Sequence, residues 1–461
     1  MDESTTDGQG KNDDDVSLER RDRTKHPYCV GEPRNPDPTF QAILDQAYTL
    51  IAEHRIEEVY PLLMQHTHLA RLPYQETRSE FLFGEYFVAA DRELDEQHVP
   101  YHERDQNFLG QAADHYARAA AIAWEIPDVA LYAQLKALES RACYFSHPRD
   151  KRYRRAFEAA RRALDAWEQL PDRKIATDMS FGFKLGDLLS VAAGMVGEDG
   201  EAVRGMEYAA HRLFELQHRP DADLAQYAND ELFLDWDWTY LFYTTGHYRH
   251  AFKKARETRK EGRGLFTAAN RVRFQIHIAD IMLACAEEGQ VGDYSRVRLL
   301  AASERAIGEA YDWELTCQKN GEEDRAAHAM LLLSEAKWMG LSRKVKERIA
   351  KIDEAQRIAD SLDDALLLGR VEIAWGDEHA FQFAKRPSNR NRVRAEYHYD
   401  RAIKMLNDVE AQCLARTAQQ RLERFRNPLS SQPPSGQQNN PGSSSPRSPR
   451  APSPDFDPSR N

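Results

Sequence analysis

The chain has 461 residues, a mass of 53.0 kDa and a formal net charge of −12 with a pI of about 5.8. Its mean field repels phosphate backbones and anionic lipid, so no direct nucleic-acid or membrane partner is expected. Hydrophobic residues at 41% and aromatics at 10% suffice for a globular core, and a mean hydropathy of −0.73 points to polar ends diluting it. Five cysteines (Cys29, Cys143, Cys285, Cys317 and Cys413) are scattered, odd in number and in no CxxC pair. That pattern argues against a disulfide framework or a zinc site and fits a reducing, cytoplasmic-type setting.

Residues 1–38 are polar, with acids at Asp13, Asp14 and Asp15 and prolines at the exit, and are expected to form a disordered arm. The basic element "ERRDRTK" within it is nearly cancelled by flanking acids. No apolar run suggests a signal peptide, and no stretch of about 18 apolar residues suggests a membrane span. Residues 427–461 are rich in Pro, Ser, Gly and Gln and read as a disordered tail, with Ser445, Ser448 and Ser453 each preceding a proline. Between these ends, residues 39–426 read as one helical domain. "FQAILDQAYTLIAEH" and "RIEEVYPLLMQHTHLARL" place apolar residues at i, i+3, i+4 and i+7, and breaks recur as "HPRD", "VGEDG", "TTGHY" and "NGEED". No segment alternates with a two-residue period between hairpin turns, so the fold class is all-α.

The helices echo one another. "ADHYARAAAIAWEIPD" from Ala113 returns as "AFEAARRALDAWEQLPD" from Ala156, sharing the pair Trp-Glu and the pair Pro-Asp. The pattern Ala-x-x-x-(small or apolar)-x-x-Ala begins again near Ala202 and, with a threonine last, near Ala251, so that the starts lie 43, 46 and 49 residues apart. A repeated helix pair cannot bury its apolar face alone and must stack on its neighbours. The echo is therefore a stacking register, with Trp124 and Trp167 expected as large anchors packed between units.

On these residues the chain resembles the tetratricopeptide repeat family. In "WTYLFYTTGHYRHAFKKA", Trp238, Phe242, Gly246, Tyr248, Ala251 and Ala255 match the family's large, aromatic, turn, aromatic and small positions; "KRYRRAFEAARRALDAW" matches a second helix through Tyr153, Ala156, Ala160 and Ala163. The units are longer than the family's usual period of about 34 residues. The resemblance implies a right-handed superhelical solenoid of antiparallel helix pairs that captures a protein or peptide in a concave groove. Long units of this sort also resemble the sensor halves of bacterial tetratricopeptide regulators, which implies an alternative: a regulatory protein that changes shape on binding a peptide and controls an effector. Residues 1–38 are too short and polar for the DNA-binding domain that precedes such halves, so that activity is not carried over.

Catalytic chemistry finds little support. Glu215 and His218 have the spacing of half a di-iron site, but the second half is missing. His247 and His250 could share a helix face, and a third spaced ligand is absent. No phosphate-binding, dinucleotide, metalloprotease or nucleophile-elbow motif is present. No catalytic residue, metal or cofactor is expected, and the oligomeric state is left open. With Gly246 as the turn, Phe233, Trp236, Asp237, Tyr240 and Tyr243 fall on the stripe that the family turns to its groove; the preceding unit, aligned through Gly197 and Ala202, adds Lys184 and Asp187. The competing reading of the same stripe is that its rings are buried against a neighbouring helix.

Overall fold

The computed structural model describes residues 38–427 except 98, 100–106, 127, 147–151, 171–175, 221, 223, 263–265, 292–293 and 343–346. The expected disordered arm, apart from Pro38, and the expected tail, apart from Asn427, lie outside the described residues. Among those described, seventeen α-helices follow one another. They are α1 Pro38–Ala52, α2 Ile56–His66, α3 Pro73–Glu96, α4 Phe108–Glu125, α5 Val129–Phe145 and α6 Tyr153–Glu168. Next come α7 Ala176–Val196, α8 Asp199–Gln217, α9 Leu224–Thr244, α10 Tyr248–Glu261, α11 Ala268–Glu287 and α12 Arg296–Asn320. The last five are α13 Arg325–Leu341, α14 Arg348–Leu362, α15 Ala365–Lys385, α16 Asn389–Asp408 and α17 Gln412–Arg426. The only strands among the described residues, Gln290–Val291 and Tyr294–Ser295, form a two-residue antiparallel hairpin between α11 and α12. Residues up to Leu422 form one compact unit, and the last residues of α17 fall in a second.

Local signals set the helix starts. Asn107, Asp128, Asp324 and Asp364 each accept a backbone N–H from three residues on, at 2.8, 3.0, 2.9 and 3.0 Å. Asp128 belongs to the echoed Pro-Asp, so that part of the echo is a helix cap. Gly197 and Gly246 turn the chain into α8 and α10 with φ of +76° and +79°, in the left-handed region that favours glycine.

Successive helices pack as antiparallel pairs: α3 with α4, α5 with α6, and so on to α15 with α16. The register read from the sequence is the one that is buried. Ala113, Ala156, Ala202 and Ala251 are each 0% exposed, as are Ala120, Ala163 and Ala209 one register further along. Each odd-numbered helix from α5 to α13 also packs on the next odd-numbered one, whereas even-numbered helices meet mainly their chain neighbours. The odd-numbered layer is thus the more tightly spaced and forms the inner side of the stack. The chain is an all-α helical-repeat protein whose units resemble tetratricopeptide repeats.

Three findings depart from expectation. Trp167 is 7% exposed and meets Phe181 edge-on at 4.7 Å, but Trp124 is 59% exposed and lies against Tyr132 at 4.8 Å. Trp124 sits at the last turn of α4, where it covers only the start of α5, so the echo preserves helix spacing and not the burial of its large residue. Second, an 18-residue window of α7, Met179–Val196, is long and apolar enough to cross a membrane, with mean hydropathy 1.3. Packing against α6 and α8 buries 61% of it, which marks a core helix. Third, the C-terminal elements pack on the early units as well as on their chain neighbours. Leu406, Val409, Ala411, Cys413, Leu414 and Ala415 join the core formed by α4–α9. Arg416 grips Asp199 at 2.9 and 3.1 Å, and Glu410 accepts the Arg154 backbone N–H at 2.8 Å.

The closest approach lies between α7 and α8. A Cβ placed on Gly186 would come within 2.6 Å of the Gly205 carbonyl oxygen, and one on Gly205 within 2.6 Å of the Gly186 carbonyl oxygen. Backbone cannot yield as a side-chain tip does, so Gly205→Ala should destabilise by roughly 1–3 kcal/mol, checked by chemical denaturation. Trp167→Ala should cost about 3–5 kcal/mol, whereas Trp124→Ala should stay within about 0.5 kcal/mol of the parent.

Candidate functional site: the lining of the odd-numbered helices

Polar residues recur at i, i+3 spacing on successive odd-numbered helices: Lys184 and Asp187 on α7, Asp237, Tyr240 and Tyr243 on α9, His277 and Asp280 on α11, and Ser334 and Lys337 on α13. Three residues on a helix return to nearly the same face, so each helix presents a polar stripe. Because the odd-numbered helices pack on one another, the stripes adjoin. Tyr144 of α5, Arg370 and Asp377 of α15, and Cys413 and Arg421 of α17 complete the cluster.

The α9 stripe divides in two. Phe233 and Trp236 stack at 6.1 Å, and Trp236 packs against Phe266 at 5.5 Å and Phe274 at 5.2 Å, within the core between α9 and α11. Phe266, just before α11, packs on this end of the stripe, which stays half-buried. Asp237, Tyr240 and Tyr243 lie further along and, like Phe233 and Trp236, are half-buried. Tyr240 and Tyr243 each meet the His277 ring at 5.6 Å, and the Tyr240 hydroxyl points to Met195 Sδ at 3.9 Å. Lys184 is half-buried one turn before Asp187. The structure therefore brings Asp187, Asp237, Tyr240 and Tyr243 together and sets Phe233 and Trp236 apart from them.

The electrostatics of the lining are unequal from end to end. The Asp187 and Asp237 carboxyls hydrogen-bond to each other, and neither has a described cation as ion-pair partner. Burial, reinforced by repulsion from Asp187, pushes Asp237 well above the usual carboxylate range. Arg370 of α15 lies near Tyr240, Tyr243 and Asp280, with no carboxylate in ion-pair contact among the described residues. Asp280 accepts the Ser334 hydroxyl at 2.7 Å, and burial raises its pKa. Burial and the nearby Arg370 charge hold His277 neutral by lowering it to about 3. At the far end every charge is matched. Arg421 pairs with Asp377 at 2.8 Å and Glu287 at 3.2 Å, and Lys337 meets Glu287 at 3.2 Å. Burial alone would raise Glu287, yet these two cations hold it at about 2.

Sequence reasoning missed Tyr144, His277, Asp280, Arg370 and Arg421. For three of them a signal exists: His277 and Asp280 interrupt the apolar run "FQIHIADIMLACA", and Arg370 interrupts "ALLLGRVEIAW". A charged or titratable group inside an otherwise apolar helix needs a reason to be there. Among the described residues no group of three or more His, Cys, Asp or Glu side chains is placed to hold a metal ion.

No protein-family profile and no curated protein matches the chain. Similar solved structures include a Rap protein complexed with competence and sporulation factor, with 12% identity, 85% of this chain and 99% of that chain covered, and a TM-score of 0.42. The apo form of RapI gives 10% identity, 85% and 98% coverage and a TM-score of 0.45. Aspartyl phosphate phosphatase F from Bacillus subtilis gives 12% identity, 86% and 96% coverage and a TM-score of 0.41. Likenesses of this degree carry no assignment of function.

The carboxyl pair yields a signed pH prediction. Asp237 holds its proton more tightly in the fold than in the unfolded chain, where aspartate titrates near about 3.9. The stabilisation is fully present below that value and is lost as pH rises through the higher folded value. Asp237→Asn keeps a donor toward Asp187 but cannot ionise. Its melting temperature minus that of the parent should therefore grow between pH 5 and pH 9; a constant offset would mean that the fold does not raise Asp237.

Proposed function

We propose that the protein is a binding scaffold that holds a peptide or a peptide segment of a partner protein against the lining of its odd-numbered helices. The observation that carries this reading is the convergence of incompletely paired polar groups from three helices, Asp187 with Asp237, the Tyr240 and Tyr243 hydroxyls, and Arg370, in a half-buried strip. A peptide supplies both donors and acceptors along its backbone and matches such a strip better than a purely apolar or singly charged ligand does. Asp187, Asp237, Tyr240 and Tyr243 are the proposed contacts, Lys184 lies beside them, and Phe233 and Trp236 shape the wall that supports them. The protein acts by binding, in the cytoplasmic-type setting read from its sequence.

A second reading, regulation through a change of shape, draws on α17. This helix joins the core of the early units and pairs through Arg421 with α11 and α15, so a ligand that alters the spacing of α9 and α15 would act on it. Small-angle scattering with and without bound peptide separates the two readings: an unchanged profile leaves a static scaffold.

A pool of synthetic pentapeptides passed over the immobilised full chain, with retained sequences counted by mass spectrometry, tests the reading. The parent should retain a biased subset. Tyr240→Ala combined with Tyr243→Ala should lower retention at least tenfold per folded molecule, whereas Trp236→Ala should lower the melting temperature while its folded fraction still retains the subset. Retention indifferent to both tyrosines would remove the lining as the binding surface.

A further inference from the structure

A run of positive charge lies at the turn into α16 and along its outer face. The ten residues "KRPSNRNRVR", from Lys385 to Arg394, hold five cations and no acid in a chain of net charge −12. Helix stability does not account for Arg390 and Arg392, because cations at the start of a helix oppose its dipole, and the first turn of α16 has no acid to offset them. Cations of earlier even-numbered helices are drawn into bridges: Arg155 of α6 with Glu139, Arg204 of α8 with Asp165 and Glu168, and Arg259 of α10 with Glu309. On α16, Arg390, Arg394 and Lys404 are exposed and have no ion-pair partner among the described residues. The helix buries one stripe, Ala395, Tyr399, Ala402 and Leu406, with Leu406 and Tyr399 set against Gly369 and Gly376 of α15. The opposite stripe returns every three or four residues through Arg390, Val393, Arg394, Tyr397, Arg401 and Lys404. Val393 is 55% and Tyr397 56% exposed, one turn apart, with cations before, between and after them. Arg401 is shared with Glu372 of α15, Glu396 is tied to Arg392 at 3.3 Å, and Asp400 is exposed at the edge of the stripe.

We propose that the outer face of α16 docks an acidic amphipathic helix of a partner protein, on a surface separate from the lining of the odd-numbered helices. Val393 and Tyr397 form a short apolar ridge that leucine-type side chains of the partner cover, and Arg390, Arg394 and Lys404 flank it as partners for Asp or Glu on the same turns. Removing the ridge from water supplies the attraction, and the flanking cations decide which helix is accepted. A second copy of the chain is disfavoured, because the face would meet its own charge. A phosphate backbone offers nothing apolar to Val393, and its charge continues past the face to the acidic remainder of the molecule. A helical segment with acids beside its apolar stripe matches both features of the face at once.

The experiment uses the full chain and fluorescent synthetic peptides of the same length as α16, 20 residues, with binding read by anisotropy. The first peptide carries Leu every three or four residues with Glu beside them, the second has the same composition in scrambled order, and the third replaces each Glu by Gln. The parent should bind the first at least tenfold more tightly than either of the others, and added salt should weaken it. Arg390→Glu combined with Arg394→Glu should abolish that preference and confer binding of a fourth peptide with Lys in place of Glu. Val393→Ser combined with Tyr397→Ser should lower the affinity for the first peptide to that of the scrambled one. All four positions are exposed, so these variants should melt with the parent. Should the charge-reversed chain fail to fold, Arg390→Gln with Arg394→Gln takes its place and should lose the preference without gaining the Lys peptide.

Equal binding of the ordered and scrambled acidic peptides overturns the proposal, as does binding of neither. Single-stranded DNA or phosphatidylserine vesicles held as tightly as the first peptide, and released by the same charge reversal, also overturn it and assign the face to phosphate groups. Tyr240→Ala with Tyr243→Ala should leave the affinity for the first peptide unchanged; a loss there puts that peptide in the lining and removes α16 as its surface. Failure of the pentapeptide reading leaves this result standing, because the two sets of variants share no residue.

Discussion

Close approach of helix backbones, permitted by alanine and glycine at one turn of each even-numbered helix from α4 to α10, is the constraint from which the rest of the structure follows. Ala113, Ala156, Ala202 and Ala251 occupy equivalent buried places, and between α7 and α8 the residues are reduced to Gly186 against Gly205. Small residues contribute little apolar area each, but they let larger neighbours such as Tyr116, Tyr153 and Leu189 fill the space between units without voids. Tight pairing on that side also determines which helices meet across units. The odd-numbered helices touch their odd-numbered successors, and whatever side chains they carry toward the inner side are gathered into one strip.

The treatment of charge differs between the walls and this strip. Within the walls, buried charges come in sets. Arg155 joins Glu139 and Asp114, Lys136 joins Glu139, and Glu372 is held by His398 at 2.7 Å and Arg401 at 3.1 Å. Leaving one member of such a set unpaired costs several kcal/mol, about 3–5 for a fully buried pair. The strip departs from that rule at the Asp187–Asp237 pair and at Arg370 while obeying it at Glu287 and Arg421. Such incompletely matched groups are what support the proposed binding surface.

The return of the C-terminal residues to the early units gives the stack a second set of constraints. Contacts such as Arg416 with Asp199 and Glu410 with Arg154 join residues more than two hundred positions apart. A stack held only between neighbours can bend at any joint, whereas one whose last helix also reports to α6–α8 and α11 couples the spacing of distant units.

The sequence by itself determined the fold class, the helix-pair register and the position of the turn glycines, because these depend on periodicity, small-residue spacing and backbone conformations that only a few residue types allow. It also placed Asp187, Asp237, Tyr240 and Tyr243 on one face of their helices, since helical spacing is a local property. It did not separate them from Phe233 and Trp236, which share the stripe and differ only in having Phe266 and Phe274 folded over them. Nor did it distinguish Trp124 from Trp167, which occupy the same place in the echo but meet different neighbours. Arg370, His277 and Asp280 were visible as polar interruptions of apolar helices, yet their convergence on the tyrosines depends on how α9, α11, α13 and α15 stack in turn. Only the tertiary structure decided that, because it is the stacking of whole helix pairs and the return of α17 that bring residues distant in sequence to the same few ångströms.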